Sequence, residues 1–271
     1  MKNQQVFFFL LLFVVSLPIS TFAAESELLY PQCDQNFTQN HILQSNIDNL
    51  LIDMAAQSSL RRFAISTFGR AGYDAVYGVA RCDGDMSHEA CSACITGVEH
   101  DILATCPGSG AVHAWREKCY LHYDVTNFIG KWDHNTPAVW ISASKAEDPK
   151  AFERGVAELM GEVMAEAAGE RETLKFKSGE SSLKGEYSDI SLTIYGMAQC
   201  TQDLQESECI QCLESSLKTM AEYCKGSDGC RIFGSSCVLR YEIYKFLWLD
   251  DAVVAAGVEA PAPAPSIADG H

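Results

Sequence analysis

Apolar positions along this chain keep two rhythms, one of three-and-four spacing and one of strict alternation, and the same succession of rhythms runs twice. Ile42, Ile47, Leu50, Leu51 and Met54 recur at helical spacing, which predicts an amphipathic helix from about Thr38 to Gln57. A short strand is predicted before it, over Leu28 to Gln32. Phe63 to Phe68 and Tyr73 to Arg81 read as strands, with Gly69 and Gly72 suited to the turn of an antiparallel pair. Ser87 stands where an N-cap belongs, ahead of a helical stretch reaching about Leu103. Ala111 to Arg116 and Cys119 to Phe128 then close the unit as a hairpin.

The second half follows the same order. Phe152, Val156, Leu159, Met160 and Val163 mark its first helix, strands follow near Leu174 to Lys177 and Leu192 to Gln199, and a second helix runs from about Ser207 to Tyr223. Arg231 to Cys237 and Val238 to Trp248 form the closing hairpin, while Trp132 to Ser144, with Pro137 inside it, serves as linker and first strand. The expected fold class is therefore α+β: two tandem domains, each an antiparallel sheet of about five strands with two helices packed on it.

The cysteines obey the same duplication. Cys82, Cys91 and Cys94 are spaced Cys-x8-Cys-x2-Cys, and Cys200, Cys209 and Cys212 repeat the spacing. Each triplet follows a similar phrase, Tyr77-Gly78-Val79-Ala80 and Tyr195-Gly196-Met197-Ala198, and the 12 cysteines divide evenly between the halves. Upstream, Lys2 precedes an apolar run from Val6 to Leu17 and a small-residue cleavage site at Thr21-Phe22-Ala23, the layout of a secretory leader over residues 1–23. An even cysteine count in an oxidising compartment points to disulfides. The Cys-x2-Cys elements are accordingly read as structural, not as redox or zinc motifs.

Charge removes further classes. The net charge of −16 argues against nucleic acid or anionic membranes as partners, and no run after the leader reaches the length of a membrane span, so no membrane insertion is expected. The two domains are expected over 26–128 and 130–249. Beyond them, residues 250–271 form an Ala/Pro-rich tail, Ala260-Pro261-Ala262-Pro263 among them, whose composition predicts an extended, disordered, solvated chain.

The doubled triplet behind its Tyr-Gly-x-Ala phrase, the leader, and the strand ends Cys119-Tyr120-Leu121-His122-Tyr123 and Cys237-Val238-Leu239-Arg240-Tyr241 resemble the plant cysteine-rich repeat secretory proteins. Those carry ginkbilobin-homologous domains, also called domains of unknown function 26, and the resemblance covers about Leu28 to Leu249. It implies secretion to the apoplast and the pairings Cys33–Cys106, Cys82–Cys91 and Cys94–Cys119 in the first copy. Cys200–Cys209 and Cys212–Cys237 carry over to the second, which has no counterpart of Cys33, leaving Cys224 and Cys230 for each other around a loop with glycine at both ends.

Candidate chemistry is sparse. No nucleophile elbow occurs, so no enzyme and no cofactor are expected. His113, His122 and His134 fit no recognised ligand spacing; alternation puts His122 with Asp124 on one strand face, where a metal site is the competing reading, and these imidazoles are read as surface groups, with no metal. By resemblance, mannose-binding members use an Asn after the first cysteine, an Arg six residues before the last and a Glu five residues after it. The first copy has Asp34, His113 and Asp124 there, whereas the second keeps Arg231 and Glu242. Arg231 and Glu242 are thus the candidate sugar ligands, with a simple cross-strand ion pair as the competing reading. Asn36-Phe37-Thr38 is an N-glycosylation sequon expected in an exposed loop. The functional expectation is a non-catalytic extracellular recognition protein in stress or defence. Its partner is a carbohydrate or an extracellular protein; the alternative is a protein-interaction scaffold that pairs with receptor ectodomains and binds no sugar.

Overall fold

The computed structural model of the chain describes residues 29–36, 40–135, 138–170, 173–184 and 191–247. The leader and the Ala/Pro tail lie outside the described residues. The first module runs β1 (Gln32–Asn36), α1 (His41–Arg61), β2 (Phe63–Phe68), β3 (Val76–Cys82), α2 (His88–Thr105), β4 (Ser109–Trp115) and β5 (Cys119–Asp124). The second runs β6 (Ala138–Ile141), α3 (Pro149–Ala168), β7 (Phe176–Lys184), β8 (Ser191–Cys200), α4 (Glu206–Tyr223), β9 (Cys230–Phe233) and β10 (Cys237–Glu242). Each builds one five-stranded antiparallel sheet, in the orders β1-β4-β5-β3-β2 and β6-β9-β10-β8-β7, so the sequence repeat is also a repeat of topology. The fold is α+β.

Local chemistry sets the helix ends. Asn40 caps α1 by accepting from the Leu43 amide at 3.1 Å, Ser87 caps α2 through the Ala90 amide at 3.1 Å, and Asp148 caps α3 ahead of Pro149. The first helix therefore starts at His41, not Thr38, and continues to Arg61 before Arg62 turns left-handed at φ 58°. The first strand also shifts. It pairs over Gln32–Asn36, downstream of the expected span; Leu29 still donates to the Trp115 carbonyl of β4 at 2.8 Å, while the Leu29 and Tyr30 side chains pack on an apolar cluster of Trp115, Tyr120 and Phe233.

Alternation along the strands gives each sheet two different faces. Ala80, Cys82, Val112 and Leu121 point to the helices of the first module, as Ile194, Ala198, Ile232 and Leu239 do in the second. The opposite faces carry Trp115, Tyr120 and Arg81 on one sheet and Arg231, Phe233 and Gln199 on the other, and here the modules meet. Phe233 from the second module buries against Trp115 and Tyr120 from the first. Gln199 crosses the seam, donating to the Cys82 carbonyl at 2.9 Å and accepting from the Gly84 amide at 3.1 Å. Gly84 lies so close to the Phe176 ring that a Cβ there would overlap it.

Disulfides reinforce each module separately. Bonds join Cys33–Cys106, Cys82–Cys91 and Cys94–Cys119 in the first, and Cys200–Cys209, Cys212–Cys237 and Cys224–Cys230 in the second, with Cα separations of 5.5 to 6.3 Å. No described cysteine is free. Among the described residues, no helix is long and apolar enough to cross a membrane.

Candidate functional site

Arg231 and Glu242 lie on β9 and β10, on the sheet face turned away from the helices, but the structure does not bring them together. Register places Arg231 opposite Arg240, and Glu242 opposite Tyr195. Arg231 is 3% exposed. Its guanidinium donates to Asp83 Oδ2 across the module seam at 3.1 Å and lies over the Phe233 ring, 4.4 Å from the centroid. Glu242 instead accepts from Arg240 Nε at 3.0 Å, and its carboxylate fills the space a Cβ at Gly229 would need. An open sugar site at Arg231 and Glu242 does not match this arrangement, and neither does a direct ion pair between the two. The Arg is consumed by the seam and the Glu by its neighbour two residues back.

Around Arg231 the seam concentrates charge away from water. Arg81 and Asp83 are fully buried beside it, and Lys118 pairs with Asp85 at 2.8 Å next to them. Burial pushes the Asp83 carboxyl up, against the opposite pull of Arg231 and Arg81, and burial also pushes the Arg81 guanidinium down, with Asp83 opposing. Such charges hold only while paired. The cluster binds one module to the other. A separate apolar cleft of about 230 Å³ opens between α3 and α4, lined by Phe152, Val156, Leu217, Met220 and Tyr241.

In the first module, Asp34, His113 and Asp124 share the outer face of adjacent strands β1, β4 and β5. The histidines correct the expectation of surface imidazoles: His122 is 5% exposed, and the side chain of His113 is 15% exposed. The segment joining the modules runs over this face. Phe128 stacks on His122 with ring centroids 3.8 Å apart, and Asp133 Oδ2 lies 3.7 Å from His113 Nδ1. His134 is exposed and lies against Trp132, the two rings tilted by 36°. Asn36 ends β1, its backbone paired with Ser109, and so belongs to a strand end instead of the expected loop. Sequence reasoning overlooked Asp83, Gln199 and Asp133. Only the last carries a usable signal, a carboxylate beside His134 in the linker.

A family model described as Salt stress response/antifungal matches residues 32–126 and 141–244. The chain is 30% identical over 262 residues to cysteine-rich repeat secretory protein 55 of Arabidopsis thaliana, covering 95% of this chain and 96% of that protein. It is 28% identical to an antimicrobial ginkbilobin-2-like protein of Castanea crenata, covering 81% and 88% respectively. Among solved structures, the tandem DUF26 ectodomain of the Arabidopsis thaliana cysteine-rich receptor-like protein PDLP8 superposes with a TM-score of 0.65 at 24% identity, covering 79% of this chain and 97% of that one.

Proposed function

The chain belongs to the Salt stress response/antifungal family, and from that premise we propose that it is a secreted, non-catalytic recognition protein that acts in the extracellular space by docking a protein partner. The partner class is a receptor ectodomain of the same tandem-module architecture. One observation carries the choice of protein over sugar: Arg231, the strongest candidate for a sugar hydroxyl, is spent on Asp83 inside the seam. A guanidinium leaving this buried pair takes away the Asp83 hydrogen bond and leaves Arg81 as the carboxylate's neighbouring counter-charge, which opposes any ligand seeking that Arg. The same pair, with Gln199, ties the two modules to each other, and a preset arrangement lowers the entropy lost when a broad surface docks. The proposal includes removal of the leader 1–23, modules over 26–128 and 130–249, and an N-glycan on Asn36.

The test sets the mature protein against immobilised ectodomains of its own family and, in parallel, against a glycan array. Saturable binding to an ectodomain with a blank array supports the reading. Array binding that disappears in Glu242→Ala, with no ectodomain captured, replaces it with carbohydrate recognition.

A further inference from the structure

The outer face of the first sheet holds three metal-ligating side chains that the function above does not use. His113 on β4 and His122 on β5 are directly opposite in the antiparallel register, and their rings stack with centroids 3.7 Å apart and planes 18° from parallel. Asp133 reaches them from the segment between the modules. One donor atom from each of the three lies within 4.8 Å of the others. Two of their atoms, His122 Nε2 and Asp133 Oδ2, are buried and make no hydrogen bond. Buried polar atoms left in that condition call for an explanation, an ion being one of the few available. The third, His113 Nδ1, lies 2.8 Å from the Tyr120 hydroxyl, so an entering cation competes with one hydrogen bond at that donor.

We propose that His113, His122 and Asp133 form a binding site for a divalent transition cation of the zinc class. Two imidazoles and one carboxylate suit zinc; calcium and magnesium prefer an all-oxygen shell. With donor bonds of about 2.0 to 2.2 Å, donors around a tetrahedral zinc sit roughly 3.3 to 3.6 Å apart. The 3.7 Å between His113 Nδ1 and Asp133 Oδ2 is already near that span, and side-chain rotation closes the rest. The carboxylate is aimed from behind, since Asp133 Oδ1 accepts from the Asn135 amide at 2.9 Å and the Asp133 amide donates to Ser236 at 2.8 Å. Phe128 walls the site by stacking on His122. Burial disfavours the cationic form of both rings, so each stays neutral with one N–H and one nitrogen able to ligate. A bound ion clips the inter-module segment to the first sheet, and through Ser236 it also steadies the β9–β10 hairpin of the second.

The experiment uses untagged mature protein, stripped with a chelator and titrated with Zn²⁺ by calorimetry, with Co²⁺ as the spectroscopic probe. One ion per chain is expected, and bound Co²⁺ should show visible bands of a low-coordinate nitrogen and oxygen site. Asp133→Asn and His122→Gln should each weaken binding roughly tenfold or more, while His100→Gln, at an exposed ring, leaves it unchanged. Near-ultraviolet circular dichroism checks that each variant is folded; the near-isosteric Asp133→Asn carries the test if His122→Gln does not fold. Absence of stoichiometric Zn²⁺ binding overturns the proposal, as does binding that survives Asp133→Asn.

Discussion

His122 stacks between Phe128 and His113 with almost no water around it, and burial first, the neighbouring His113 second, drives its imidazole down to about 2. The sign of the consequence is fixed by linkage. The unfolded chain takes up a proton near the ordinary value of 6.5, whereas the folded one refuses it until about 2, so this residue's contribution is complete above 6.5 and is lost as pH falls. In chelator-treated protein, stability should decline by roughly 1.4 kcal/mol per pH unit below that point from His122 alone. His122→Gln should flatten this part of the slope in denaturant titrations at a series of pH values. His113 stacks on the same ring and Asp133 lies beside His113, and both remain in the variant, so the difference between the two profiles reports His122 together with its coupling to His113. Strand alternation puts His122 opposite in direction to Leu121, and that much is legible in the sequence. What covers the face is not, because the cover arrives from a linker whose path no periodicity encodes.

At the scale of elements, the Tyr-Gly-x-Ala phrase has a packing explanation. Gly78 on β3 lies beneath Leu50 and Met54 of α1, and Gly196 on β8 lies beneath Leu159 and Met160 of α3, so each glycine lets a helix settle close on its sheet. Ala80 and Ala198, two residues on, are fully buried for the same reason. Gly78→Val should therefore overpack the first core and cost about 1 to 3 kcal/mol in guanidinium melts. Gly161, on the exposed side of α3 with nothing near its missing side chain, should behave oppositely: Gly161→Ala is expected to add about 0.5 to 1 kcal/mol. Helices and central strands were open to sequence reasoning because periodicity and caps are local. The edge strand β1 was not, since Leu29 and Tyr30 answer to Phe233 about two hundred residues away. Spacing alone left the disulfide pairing open, and the family resemblance supplied it.

Across the whole molecule, the seam combines the Phe233 contact and the Gln199 bonds with a buried ion pair whose members stand 148 residues apart. Arg231→Ala removes the cation hydrogen-bonded to the buried Asp83 and leaves Arg81 as its neighbouring counter-charge, which should cost about 3 kcal/mol or less and split a single denaturation transition into two, one per module. Asp83→Asn with Arg231→Gln removes both members of the pair but leaves Arg81 buried without its carboxylate, so it should recover none of that loss. Family analogy led toward Arg231 as a ligand, because sequence comparison aligns the residue without seeing what lies across the interface. Every described disulfide lies within a module, so nothing covalent closes this seam except the chain itself. That has a bearing on biosynthesis. While the ribosome is still making the second half, the first already displays Trp115 and Tyr120 with no Phe233 to cap them, and roughly a hundred codons, on the order of ten seconds of translation, pass before the cap exists. For that interval the nascent half is a natural client for the chaperones of the secretory lumen.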